Sequence, residues 1–192
     1  MNEEVIGVFS DGLDSSLEGL TLVFSPATAS RTRRWRNNGL SADFLGDYVA
    51  TFFPGDDDTG ARASVKNMVS YVANELLENA LKYHDGAINH PISVRLLMRS
   101  DALLFVAANA VSAEQGERYA RVARELAGGD VADYYARRLE SAVPNAGVGL
   151  CSLVVDYSAE IGWRFSETPA GLRVATTSVR VAVADAAKED AP

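Results

Sequence analysis

The sequence predicts an α+β fold: a two-layer α/β sandwich with helices on one face of a mixed or antiparallel sheet. Three observations lead there. Short apolar runs at both ends of the chain and in its middle have strand length and hairpin-like spacing. Long stretches of helical periodicity lie between them instead of alternating one for one with strands. No run of strand-helix-strand units repeats, so a doubly wound parallel sheet fits less well. The 192 residues suit one domain, 1–192, with 1–40 as N-terminal strands and a basic connector, 112–146 as an insertion and 185–192 as a flexible tail.

Residues 5–9 and 20–25 read as strands, with the turn dipeptide Asp11-Gly12 between them and Pro26 closing the second. Arg31, Arg33, Arg34 and Arg36 around Trp35 form a basic connector, and Asn37-Asn38-Gly39 reads as a turn. Ser41 is placed to cap a helix over 42–53, with Phe44, Leu45, Tyr48, Val49 and Phe52 on one side, and Pro54-Gly55 stops it. Asp56-Asp57-Asp58 reads as a solvated turn. Ser64 is placed to cap a long helix to Tyr83, which His84-Asp85-Gly86 ends. Residues 92–98 and 102–108 form a predicted hairpin. Residues 113–141 are helical with a break at Gly128-Gly129. The loop Pro144-Asn145-Ala146-Gly147-Val148-Gly149 leads to a helix over 150–159, and strands at 160–166 and 172–183 turn at Pro169-Ala170-Gly171.

Composition excludes several classes. The chain is 47% hydrophobic and 23% charged, the balance of a globular protein, and 18 basic against 26 acidic residues give a net charge of −8. That balance disfavours broad nucleic-acid binding, including through the Arg31–Arg36 stretch. Cys151 is the single cysteine, which forbids an internal disulfide and suits a reducing compartment. The start, Met1-Asn2-Glu3-Glu4, is acidic where a secretory signal is basic, and no apolar run approaches the roughly 20 residues that span a bilayer. The expectation is a cytoplasmic protein with no membrane partner.

The long helix carries the first chemical signal. At about 100° per residue, Val65, Val69, Val72, Leu76, Ala80 and Tyr83 share one arc. Asn79 falls inside that arc and Glu75 at its edge, one turn earlier. One reading is structural: an amide tied to backbone, with the carboxylate at a solvated margin. The other is chemical. An amide oxygen can ligate Mg²⁺ beside triphosphate oxygens, and a carboxylate one turn away can orient or deprotonate an attacking hydroxyl. Gly147–x–Gly149-Leu150 adds small residues and helix N-terminal N–H groups, which favour phosphate. No glycine motif is followed by Lys-Ser/Thr, so a Walker-type loop is absent.

Asn74-Glu75-Leu76-Leu77-Glu78-Asn79-Ala80-Leu81-Lys82-Tyr83 resembles the N-box of the GHKL superfamily of histidine kinases, gyrase-type ATPases and anti-sigma-factor serine kinases. Asn145-Ala146-Gly147-Val148-Gly149-Leu150 resembles its second glycine box. The resemblance spans about 40–183 and implies a Bergerat fold holding ATP and Mg²⁺. It makes Asn79 the metal ligand, Glu75 the catalytic base, and Lys82, Gly147, Gly149 and Leu150 part of the nucleotide site, under a lid formed by 112–146. The family's Asp–x–Gly–x–Gly is replaced here by Val106-Ala107-Ala108-Asn109-Ala110-Val111, which leaves Asn109 as a neutral acceptor for the base.

The N-box is preceded by strands and one helix, not by a phosphotransfer helix pair, so the resemblance is strongest to the anti-sigma-factor and serine-kinase branch of bacterial partner-switching systems. It implies an enzyme that phosphorylates a small antagonist protein on Ser or Thr, and homodimerisation. The missing Asp–x–Gly suggests the alternative, a non-catalytic adaptor that has lost nucleotide binding and acts by protein–protein contact. Arg118, Arg121 and Arg124 can approach phosphates from a closing lid or pair with Glu114, Glu117 and Glu125 as a surface. His84 and His90 read as helix-end and loop residues. Cys151 reads as a buried thiol.

Overall fold

Six strands form one sheet in the order β1-β5-β6-β4-β3-β2, and every neighbouring pair is antiparallel. The strands are β1 (Glu4–Gly7), β2 (Gly19–Phe24), β3 (Ile92–Met98), β4 (Ala102–Ala110), β5 (Glu160–Glu167) and β6 (Arg173–Ala182). Among the described residues, the helices with full bounds are α1 (Arg31–Ala50), α2 (Ala61–Tyr83), α3 (Ala113–Gly128) and α4 (Val148–Tyr157). The computed structural model describes residues 3–12, 18–25, 31–54 (31–37 as backbone only), 60–131, 133–134, 136 and 148–183.

The sheet alternates as a two-faced sheet must. On β4, Leu103, Phe105 and Ala107 join the main core, whereas Leu104 and Val106 form a small cluster with Leu97 of β3. The main core is the helix side. There α2 lies over β3 and β4, α3 lies over β1, β5 and β6, and α1 packs along α2. Leu45, Val49, Val69, Val72, Leu76, Phe105, Leu150 and Val179 are all at most 1% exposed.

The second face is crossed by backbone. Strands β1 and β2 are not a hairpin; they stand at opposite edges of the sheet. The chain leaves β1 at Gly7, whose φ of 71° favours glycine, and Val8 N–H donates to Ile161 O at 3.0 Å. Ser10 N–H donates to Ser178 Oγ at 3.0 Å, and Arg95 donates to Gly12 O and Asp11 O at 3.0 and 3.1 Å. A Cβ at Gly162 would overlap the backbone of Val8 and Phe9, so only glycine lets this strap lie flat on β5. The Asp11-Gly12 pair read as a turn is therefore part of a strap.

Helix starts differ from expectation. The first helix begins at Arg31, not after Ser41, so Asn37-Asn38-Gly39 lies within it. The reason is tertiary: Ala42, Leu45 and Val49 are buried at helical spacing on one side of α1, and the helix propagates back from that anchor through two asparagines and a glycine. The second helix is preceded by Gly60, without a side-chain cap, and Ser64 Oγ instead donates to Gly60 O at 3.0 Å. It ends at Tyr83 as expected, with His84 extended at the cap rather than a left-handed glycine. The tail from 184, the acidic turn at 56–58 and the loop at 137–147 lie outside the described residues.

Candidate functional site

Asn79 sits in the buried face of α2 among Leu76, Ala80 and Tyr83, and is 7% exposed. Its Nδ2 donates to Glu75 O at 2.7 Å, one turn back. That bond is the tie to backbone of the structural reading; it answers one of the amide's two N–H donors and leaves Oδ1 as the acceptor. Glu75 is half-buried. Desolvation, reinforced by the like charge of Glu78 and offset by Lys82, pushes its carboxyl up to about 7. Lys82 stands two turns from Glu75, with its ammonium 5.5 Å from the Tyr83 ring centroid. Asn74 Nδ2 donates to Glu78 Oε1 at 2.9 Å, which anchors the neighbouring carboxylate along the helix.

The start of α4 meets this helix. A Cβ at Gly149 would collide with the Glu75 carboxylate, so the two can approach only because position 149 is glycine. Glu75 and Gly149 are thereby brought together, although more than 70 residues separate them in the chain, and Asn79 lies one turn along α2 from Glu75. Leu150 is fully buried, which leaves its backbone and not its side chain for any ligand. Gly147 lies outside the described residues. Cys151 is buried in α4, as expected.

The far end of the helix is built differently. Asn109 is 3% exposed on β4, and its Nδ2 donates to Ala110 O at 3.4 Å. Tyr119 of α3 stacks on Tyr83, with centroids 4.0 Å apart and planes at 7°. Its hydroxyl shares a 2.7 Å hydrogen bond with Thr177 of β6, and Phe165 meets its ring edge-on at 5.8 Å. Burial pushes the Tyr119 phenol up to about 12, against the pull of its Thr177 bond. Sequence reasoning did not single out Tyr119; its signal was the spacing of Tyr119, Val122, Ala123 and Leu126, all buried on one side of α3.

The first half of the stretch read as a lid is thus a helix seated on the sheet. Arg124 of α3 pairs with Glu4 of β1 at 2.8 Å and with Glu117 at 3.1 Å. That is the surface-pairing alternative for this arginine. A cavity of about 420 Å³, also missed from sequence, opens beside the start of α3 between Glu4, Glu117, Phe165, Glu167 and Arg173. Among the described residues no group of three or more His, Cys, Asp or Glu could hold a metal ion alone. A cation at Asn79 therefore has to share its coordination with ligand oxygens. Glu75 and Asn79 offer oxygen atoms of the kind a hard cation takes, whereas Asn109 is a neutral amide and not a carboxylate.

No helix among the described residues is long and apolar enough to cross a membrane. No family model matches the chain, and no curated protein matches it in sequence. Its fold is similar to that of a chain in the crystal structure of the SiaB-SiaC complex from Pseudomonas aeruginosa, with a TM-score of 0.50, 20% identity, and coverage of 84% of this chain and 89% of that one.

Proposed function

We propose that this chain is a signalling regulator of the partner-switching type, which binds ATP·Mg²⁺ at the Glu75–Asn79 site and phosphorylates a small protein partner on Ser or Thr. The observation that supports the reading is the approach of the Glu75 carboxylate on α2 to Gly149 at the start of α4, with Asn79 buried one turn along the same helix. The fold shared with a chain found in a two-protein complex supports a protein partner.

In this reading Asn79 Oδ1 would hold the cation, and the N-terminal N–H groups of α4 would supply donors to phosphate oxygens. Lys82 adds positive charge on the same side of α2. Bound ATP supplies the γ-phosphoryl group. Glu75 accepts the proton of the partner's hydroxyl, and a carboxyl poised near 7 can take it and release it at neutral pH. The expected pH profile follows: phosphotransfer rises with pH and levels above about 7, because only ionised Glu75 accepts a proton.

Calorimetry with a non-hydrolysable ATP analogue and Mg²⁺ tests the binding half. Micromolar affinity that Asn79→Ala abolishes is the expected result. Labelled ATP with the candidate partner tests the chemistry, where Glu75→Gln should cut transfer by about 10²- to 10⁴-fold while leaving binding. One observation favours a second reading, the adaptor: the acceptor left for a base is the buried neutral Asn109, whose amide is turned to Ala110 O. If the analogue gives no heat and the partner still binds, the adaptor stands.

A further inference from the structure

The cavity of about 420 Å³ beside α3 has the size of a small-ligand site, and the Glu75–Asn79 chemistry makes no use of it. Its existence follows from the sequence of α3. Tyr119, Val122, Ala123 and Leu126 are large or central enough to fill the core. Ala113, Gly116 and Ala120, at three- and four-residue spacing, line the cavity instead. With at most a methyl group at each, the first two turns of α3 leave a gap above β1, β5 and β6. Val111 and Phe165 complete an apolar wall, and Phe165 lies between the cavity and the Tyr119 ring, 5.8 Å away.

The rim decides what the gap can take. Glu3, Glu4, Glu117 and Glu167 border it, and Arg173 is the cation beside them. Arg124 holds Glu4 and Glu117, whereas among the described residues Glu3, Glu167 and Arg173 carry no ion pair. Glu167 and Arg173 are register partners on β5 and β6, so one offsets the other. With Arg124 counted, the rim keeps a surplus of two negative charges. The positive end of the α3 dipole is answered separately, by Glu114 in the first turn. These carboxylates do not converge on a metal: among the described residues no three such groups could hold an ion. An ammonium or guanidinium suits them better, because it donates several hydrogen bonds at once to carboxylates that stand apart. Such a cation is also attracted to an aromatic ring, and the wall takes a hydrocarbon body out of water.

We propose that the cavity under α3 is a binding site for a small organic cation, an amine or guanidine carrying an apolar body. The cationic head lies between Glu3 and Glu167, and the body rests on Phe165, Ala113, Gly116 and Ala120. The rim is open to water, so the attraction weakens with salt. The site is separate from Glu75 and Asn79 and does not need nucleotide.

A nuclear magnetic resonance titration of the full chain without nucleotide tests this apart from any kinase activity. The probes are phenethylamine and agmatine, with phenethyl alcohol and phenylacetate as the neutral and anionic counterparts of the first. At least one of the two cations should saturate and move the amides of Gly116, Glu117, Ser166 and Arg173. Replacing Glu3→Gln and Glu167→Gln together should weaken that binding about three- to tenfold, and Arg173→Met should tighten it about twofold. Ala113→Phe should block the cavity while the melting temperature holds, because position 113 is exposed. No saturation by either cation at millimolar concentration overturns the proposal. So does phenylacetate or the alcohol binding as tightly as phenethylamine, or a cation that Arg173→Met weakens. Saturable binding of tetralysine without that of either small cation overturns it equally, since the contact is then the rim and not the cavity.

Discussion

The two faces of the sheet are covered by different means. On one, side chains from α1, α2, α3 and α4 interlock with alternate residues of the strands into a single large core. On the other, a strap of backbone from Val8 to Gly12 lies over only three clustered apolar side chains, Leu97, Leu104 and Val106. The first cover is held by volume and so tolerates conservative exchange but not cavities. The second is held by close approach and a few hydrogen bonds, so it depends on glycine clearances and on Arg95. Stability is concentrated on the helix side, and so are the buried amides and the shifted carboxyl.

The strongest break in this contrast is a cavity on the helix side. Leu76→Ala, at a site 1% exposed, should cost about 2–5 kcal/mol in denaturant unfolding. Gly162→Val attacks the strap and should cost about 1–3 kcal/mol, because the backbone of Val8 and Phe9 has to lift. Hydrogen exchange should then quicken at Ser10 while the amides of α2 stay protected. Arg95→Met removes two donors from the strap carbonyls and should cost about 1 kcal/mol.

A further effect concerns Glu75 and sharpens the comparison through pH. Its carboxyl titrates at about 7 when folded, above the ordinary carboxylate value of 4.5, so the folded state binds more protons between those values. Stability therefore falls as pH rises from about 4.5 to about 7, and the cost is fully present above that. Glu75→Gln should remove this slope, matching wild type in acid and melting higher than wild type at alkaline pH. The same scan on Arg95→Met should keep the wild-type slope.

Much of the helix side was legible in the sequence, because 3.6-residue periodicity marks a buried face directly. The arc from Val65 to Tyr83 lies inward as its spacing predicts, and Asn79 is buried in it. The hairpins β3–β4 and β5–β6 were legible for the same kind of reason, since a local turn sets the register. The strap was not. Asp11-Gly12 reads as a tight turn, and nothing local says that the strands beside it pair with residues far along the chain. The extent of α1 was hidden because Asn37-Asn38-Gly39 has turn chemistry that packing overrode. At the candidate site, Glu75 and Asn79 were visible as polar positions in an apolar pattern. Tyr119 was not, because an aromatic on a helix face carries no mark of what it stacks against.

The strand order has a consequence for how the molecule is made. The first strands to be synthesised occupy the two rims, and the last two fill the places beside β1 and β4. Glu4 has its register partner at Phe165, so β1 has no strand neighbour until residues 160–167 exist. Assembly thus closes from the outside inward, with the C-terminal hairpin as the keystone. Such distant pairing slows folding. A nascent chain stalled before Glu160 would expose one side of β4 and have no stave for its earliest strand, a state for chaperones to recognise.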